Sequence, residues 1–206
     1  MTELVNPVIN SEQLLRWWHR HQARWLTAEA DAIRNGLLQD LFAVRRRLEL
    51  TIGEDDDSLA MVERLYGALE SLGNRLSSPY LQESLPLALQ HALSDWPPQI
   101  PLSAELPARW SPEPMENITL LLSVVEHLRQ TLAVLPSVPQ ACALSLVEGP
   151  GAKQLTIHMT LDRPSSLMAI CESEDWAYHL TTFEILTGGK AGCTHQGADI
   201  LWQFVW

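Results

Sequence analysis

Seven histidines, three cysteines and a few glycine-bearing stretches are the parts of this 206-residue chain that could do chemistry. His19-Arg20-His21 offers two imidazoles close together. On a helix, however, residues i and i+2 diverge by about 200°, so the pair cannot share a metal ion, and no metal site is expected. Cys193 and His195 would share one face of a strand, as a thiolate and its base require. Yet Cys142, Cys171 and Cys193 are odd in number and widely spaced, with no C-x-x-C pair, and read as reduced, mostly buried thiols. Gly188-Gly189-Lys190 lacks the upstream glycine and the following Ser or Thr of a phosphate loop, and reads as a helix stop. Glu148-Gly149-Pro150-Gly151-Ala152 reads as the turn of a β-hairpin. His91, His127, His158, His179 and His195 are scattered without local acid partners in a recognised frame, so no catalytic site is assembled and no cofactor is expected.

The elements that carry these residues fall into two stretches. Ser11 to Leu50 contains no proline, and Leu26, Ala30, Ile33, Leu37, Leu41, Val44 and Leu48 recur at steps of three and four, which predicts one stripe on a single long helix. Val62, Leu65, Leu69, Leu72 and Leu76 predict a second helix with a narrow packing seam. Between them, Gly53 can end the first helix, and the carboxylates of Glu54 to Asp57 suit the positive start of the second. Residues 11–78 are therefore expected to form a long antiparallel helical hairpin. A two-helix unit with one seam cannot close a core, so a second copy completing a four-helix bundle is the expected solution, a homodimer. Trp17 and Trp18 are adjacent and cannot both face one seam, which leaves at least one for solvent or for another chain.

After Ser78-Pro79 the pattern changes. A short helix is predicted over Leu85–Leu93, a strand around Ile100–Leu106, and a helix with Ile118, Leu121, Leu122, Val125, Leu128 and Leu132 on its apolar face, capped by Glu116 or Asn117 and ended by Pro136 and Pro139. Two strands follow over 142–147 and 155–161, then a helix from Asp175 to Leu186 and a last strand over Ile200–Trp206. Residues 85–206 thus read as a second domain, and the whole as α+β with helices layered on a mixed sheet.

A net charge of −11 would repel nucleic-acid phosphates and anionic lipids. The one basic cluster, Arg45-Arg46-Arg47, reads as solvated helix surface. Neither a nucleic-acid partner nor a membrane one is expected: no apolar run approaches the ~18 residues that span a bilayer, and the first residues lack a signal-peptide pattern, so the expected location is the cytoplasm.

Residues Ala30 to Leu41 (Ala-Asp-Ala-Ile-Arg-Asn-Gly-Leu-Leu-Gln-Asp-Leu) resemble the dimerisation and phosphoacceptor helix of sensor histidine kinases, particularly the subfamily related to nitrate and desaturase sensors. Gly36-Leu37-Leu38-Gln39 and the Arg45-Arg46-Arg47-Leu48-Glu49 tail carry the likeness. It continues in order from Ser11 to Trp206: Leu85–Arg109 resembles the linker helix and first strand of the ATP-binding domain, Ile118–Ala133 its asparagine-bearing helix, and Tyr178–Gly189 with the final strand its last helix, Gly-Gly turn and closing strand. The resemblance implies a dimeric bundle carrying an α/β sandwich of the type shared by gyrase, Hsp90 and histidine kinases.

Set against that pattern, the chemistry has been lost. The phosphoacceptor histidine falls on Arg34 and the next acid on Asn35, and neither a guanidinium nor an amide can replace them. Glu126 matches the family's glutamate, but the magnesium-binding asparagine falls on Gln130. The adenine-reading aspartate has only Asp162, followed by Arg163-Pro164-Ser165. No glycine occurs between Gly151 and Gly188 to build a phosphate-wrapping lid. The expectation is a histidine pseudokinase acting by dimerisation and protein binding, with Arg34, Asn35 and Gln39 marking a surface for a response-regulator receiver domain or another signalling protein. The alternatives are a phosphotransferase using His19, four turns before Arg34, as a displaced phosphoacceptor, and a domain retaining residual ATP binding.

Overall fold

A computed structural model describes residues 11–52, 57–135, 138–161 and 170–206. The turn residues Gly53 to Asp56, Pro136, and Asp162 with Arg163-Pro164-Ser165 lie outside the described residues. The chain runs α1 (Ser11–Ala32), a π-helical turn (Ile33–Leu37), α2 (Leu38–Ile52), α3 (Asp57–Leu76), α4 (Leu85–Ser94), β1 (Leu102–Glu105), α5 (Met115–Val134), β2 (Ala141–Gly149), β3 (Ala152–Thr160), α6 (Glu174–Thr187), β4 (Lys190–Gln196) and β5 (Asp199–Val205). The fold is mixed α+β.

The five strands form one sheet in the order β1-β2-β3-β5-β4, with β1 parallel to β2 and every other pair antiparallel. Register explains the core. Leu144, Ile157 and Trp202 lie across from one another, as do Leu146, Leu155 and Phe204, so the alternate residues of three strands line one buried face. Helices α4, α5 and α6 cover that face. Trp176 stacks on Trp202 at 4.7 Å, and Phe183 meets Phe204 edge-on at 5.1 Å. Pro150 and Gly151, the latter at φ +84°, make the two-residue β2–β3 turn, as the sequence predicts.

Three expectations need correction. Strand β4 was not predicted, because Lys190–Gln196 lacks apolar alternation; it is an edge strand paired only with β5 and half exposed, so little in its side chains marks it. Helix α5 begins at Met115 with Pro114 in the N-cap position and no side-chain cap; Glu116 and Asn117 lie inside its first turn. The single stripe on the first helix is split. Ala23, Ala30 and Ile33 are buried, but beyond the π-helical turn Leu38 is buried whereas Leu37 and Val44 are about half exposed. A π-bulge inserts one residue, which rotates everything after it by ~100° relative to an uninterrupted helix.

Helices α2 and α3 run antiparallel alongside each other: Arg34 reaches Gly73 and Ser77, while Arg45 pairs with Glu63 at 3.0 Å. Leu59, Val62, Tyr66, Leu69 and Gly73 face the first helix. Leu65 and Leu72, predicted in that same seam, are instead exposed by 49% and 38%, together with Met61.

Candidate functional site

The stretch that resembles a phosphoacceptor helix coincides with the π-helical turn Ile33–Leu37. Arg34 does not point outward from it. Its guanidinium donates to the backbone oxygens of Gly73 and Ser77 and to Asn74 Oδ1, and pairs with Asp31 at 3.6 Å. A cation placed at the end of α3 complements the negative end of that helix and supplies a donor to the Ser77 carbonyl just past it, while the Gly73 oxygen also accepts the Ser77 amide at 3.1 Å. Asn35 and Gln39, four residues apart, are exposed. The bulged turn therefore presents two neutral amides, with the arginine spent on holding α3.

A second arrangement lies where α1 crosses α5 and α6. There a cleft of about 610 Å³ is lined by, among others, His19, Ser123, His127, Gln130, Asp175 and His179. His19 Nε2 lies 3.0 Å from the backbone oxygen of Glu116; because a carbonyl only accepts, this nitrogen carries the proton and donates. Arg16 Nη1 donates to the backbone oxygen of Leu186 at 2.8 Å. Together the two side chains tie α1 to the start of α5 and the end of α6. His19 is thus half-buried and engaged, rather than the free surface imidazole its polar neighbours in the sequence suggest.

Asp175 and His179 stand four residues apart on α6, on one face of the helix, but sequence alone did not bring His127 of α5 to them. The imidazoles of His127 and His179 are 4.5 Å apart, and His127 also meets Trp176 edge-on at 5.0 Å. Burial pushes the pKa of His127 down, with Asp175 opposing. Burial likewise lowers His179, assisted by His127 and opposed by Asp175. His127 Nε2 is buried without a hydrogen-bond partner among the described residues. Elsewhere, His158 sits 3.2 Å from Asp199, a second acid partner hidden from the linear pattern.

On α5 the glutamate picked out by resemblance is not free to act as a base. Arg129 grips Glu126 through two hydrogen bonds of 2.8 and 2.7 Å, and Gln130 donates to the same carboxylate at 2.9 Å. The Arg129 hydrogen bond holds Glu126 below the usual carboxylate range, against an opposing contribution from burial. A carboxylate so stabilised in its charged form is a weaker proton acceptor.

The cysteine expectation is overturned for two of the three residues. Cys171 and Cys193 form a disulfide, their Cα atoms 5.8 Å apart. Helix α6 returns the chain so that β4 ends beside the residues that precede the helix, an adjacency their separation of 22 positions does not announce. The bond removes Cys193 as a nucleophile for His195. Cys142 remains a buried thiol, pushed up by burial to about 12, so no thiolate forms near neutral pH. Gly188 adopts φ +73° as the left-handed cap of α6, and a Cβ on Gly189 would lie 2.1 Å from the Val205 backbone oxygen. The Gly-Gly pair is therefore a helix stop packed on β5. Among the described residues, no group of three or more metal-ligating side chains converges and no helix is long and apolar enough to cross a membrane.

No family model matches the chain, and no curated protein matches it in sequence. Solved structures do match its fold. A blue-light activated histidine kinase from Erythrobacter litoralis aligns with a TM-score of 0.52 at 13% identity, over 97% of this chain and 61% of that one. The histidine kinase domain of the same protein gives 0.46 at 13% identity, over 91% and 92%. A bacterial phosphotransferase gives 0.40 at 16% identity, over 96% and 98%. The chain thus spans about three-fifths of the first kinase's length, and its structural neighbours are histidine kinase domains, a likeness of fold rather than of sequence.

Proposed function

We propose that this chain is a non-catalytic signalling or adaptor protein, a histidine kinase fold whose helical hairpin (residues 11–78) and sandwich (residues 85–206) serve as binding surfaces. The observation that carries this reading is the fate of Arg34. At the position where the resemblance places the phosphoacceptor stands a cation that cannot accept a phosphoryl group and whose donors are committed to α3. The engagement of Glu126 by Arg129 supports the same reading for the nucleotide half. In this reading the hairpin forms a homodimer by covering Leu37, Val44, Met61, Leu65 and Leu72, all exposed apolar residues of α2, α3 and the bulged turn. Asn35 and Gln39 present the outer surface to a receiver domain or another signalling partner.

The test combines three measurements on the full chain. Molar mass in solution is expected to be that of a dimer, and Leu65→Glu is expected to shift it to the monomer. Incubation with Mg-ATP, and separately with a phosphorylated receiver domain, is expected to leave no acid-labile phosphate on the protein. Label that survives in wild type and vanishes in His19→Ala would replace this reading with a phosphotransferase, and a thermal upshift of several degrees in millimolar Mg-ATP would reinstate nucleotide binding.

A further inference from the structure

Two half-buried cysteines, Cys171 just before α6 and Cys193 in the middle of the edge strand β4, close a covalent loop around α6. The loop holds one end of that helix. The C-terminal half of α6 has other anchors: Phe183 meets Phe204, the Glu184 carboxylate accepts the Ala191 amide of β4 at 3.1 Å, and the Gly188-Gly189 stop packs on β5. The N-terminal half is held by Trp176 stacked on Trp202, by the Ser173 cap and by the disulfide. Asp175, Tyr178 and His179, which line the cleft with α1, all lie in that half.

We propose that Cys171 and Cys193 form a reversible thiol–disulfide centre that exchanges with low-molecular-weight thiols and their disulfides. Its oxidation state sets how firmly the N-terminal half of α6, and with it the cleft, is held on the sheet. In the reducing direction the thiolate of a small thiol attacks one sulfur of the pair. The bond between the cysteines breaks, a mixed disulfide forms, and the other cysteine leaves as a thiolate. A second small thiolate then attacks the small-molecule sulfur of the mixed disulfide. The two small thiols depart as their disulfide, having given up two electrons, and the protons they released end on the two cysteine sulfurs. In the oxidising direction a small disulfide accepts the same two electrons, and the protons of the cysteines pass to the small thiols that form.

Three observations support exchange over a fixed staple. The first is that the fold has no need of a staple. The sandwich gathers its large apolar side chains into one core running from Leu81 to Phe204, unlike the small domains that depend on disulfides for want of one. The second is access. Both cysteines are half-buried, and β4 pairs only with β5, so its outer edge is open to an attacking thiolate. The third is isolation. Cys142 is 2% exposed on β2, with β3 and β5 between it and β4, and burial raises it to about 12, so it supplies no thiolate to scramble the pair. A Cα separation of 5.8 Å lets the reduced sulfurs pair again without backbone movement. The reduced thiols that the sequence suggests and the bond that the structure holds are then two states of one pair.

The test is thiol counting and amide hydrogen exchange on the full chain. With the bond intact, the native protein is expected to offer no thiol to iodoacetamide, Cys142 reacting only on unfolding. Millimolar glutathione is expected to expose Cys171 and Cys193 in the native protein, and glutathione disulfide to pair them again, in Cys142→Ser as in wild type. Reduction is expected to speed exchange over Trp176 to Leu180 by about fivefold or more, while Phe183 to Thr187 and α5 change by less than about twofold. Replacing both Cys171 and Cys193 with serine is expected to reproduce the reduced pattern and to make it independent of glutathione. A bond that resists glutathione until the chain unfolds would be a fixed staple and would overturn the proposal, as would thiols that glutathione disulfide fails to pair. Reduction that leaves the exchange of α6 unchanged would overturn the hold of the bond on the cleft.

Discussion

The two halves of the molecule treat their apolar residues in opposite ways. From Leu81 onward, the large aliphatic and aromatic side chains of α4, α5, α6 and the sheet merge into one buried cluster that includes Trp176, Phe183, Trp202 and Phe204. Helices α1 to α3 contribute nothing to it; they bury Ala23 at the cleft with α5 and α6, bury Ala30, Ile33, Leu38 and Leu59, and leave Trp17, Trp18, Trp25, Leu65 and Phe42 about half or more exposed. The sandwich is complete as a packing unit. The hairpin is packed on one side only, and its remaining apolar surface has the periodicity of a helix seam rather than the scatter of ordinary surface hydrophobics.

That contrast can be broken most sharply with matched tryptophan truncations. Trp202→Ala removes a fully buried ring stacked on Trp176 and is expected to cost about 3–5 kcal/mol by chemical denaturation. Trp25→Ala, measured where the protein is dilute enough to be monomeric, is expected to change stability by less than about 0.5 kcal/mol. Equal effects at both positions would erase the distinction between the halves. A smaller but still large loss is expected at the sandwich's polar anchor. Glu113, 3% exposed, receives Lys153 Nζ and, at 3.1 Å, the Trp206 Nε1 donor. Glu113→Ala leaves the Trp206 indole N–H without its acceptor and Lys153, 18% exposed, with only Glu148 at 3.6 Å and the Ser111 carbonyl, at an expected cost of about 1–3 kcal/mol in the same denaturation assay.

The sandwich was largely legible in the sequence because its signals are local. Pro150-Gly151 specifies a turn, alternating residues in 142–147 and 155–161 specify half-buried strands, and Gly188-Gly189 stops a helix; each reappears within three residues. Only β4 escaped, since an edge strand paired on one side needs few apolar residues. In the hairpin, periodicity gave the helices but misplaced their faces. A sliding 3.6-residue pattern cannot register a π-helical turn, so Leu37 and Val44 read as one stripe with Ala30. At the candidate sites, the residue type of Arg34, at the position the resemblance aligns with a phosphoacceptor, was visible in sequence order. Asp175 and His179 share a face of α6 at a spacing of four, which the sequence could have shown, but the approach of His127 to them and the Cys171–Cys193 bond depend on packing between separate elements, and no local spacing encodes those.

Arg34 links the halves of that lesson, since its residue type was legible but its contacts were not. Truncating it removes the guanidinium donor from the Ser77 carbonyl and the second donor from the Gly73 carbonyl at the end of α3, and is expected to destabilise the hairpin by about 1–2 kcal/mol, read as a lower denaturation midpoint. Arg34→His sets a phosphoacceptor-type side chain at that position. Given Glu126 bound by Arg129, this variant is expected to take up no acid-labile phosphate from Mg-ATP; uptake would mean that Arg34 alone silences the site.

The smallest expected effect lies in the cleft, where the comparison can be made with pH. Burial holds His127 and His179 below the ordinary histidine value in the folded chain. Above about pH 6.5 both rings are mostly neutral whether the chain is folded or not, and they contribute no slope. As pH falls through that value the unfolded chain takes up protons before the folded one does, so the unfolded state binds more protons and stability declines with decreasing pH. The slope vanishes again once pH drops below the folded values, where both states are charged. Because Asp175 opposes the shift at both rings and the site is partly open, the decline should be shallow. Replacing both residues with glutamine is expected to flatten the stability profile between about pH 6.5 and 5. A profile unaltered by the double substitution would mean that the cleft is wet enough for its imidazoles to titrate as they do in water.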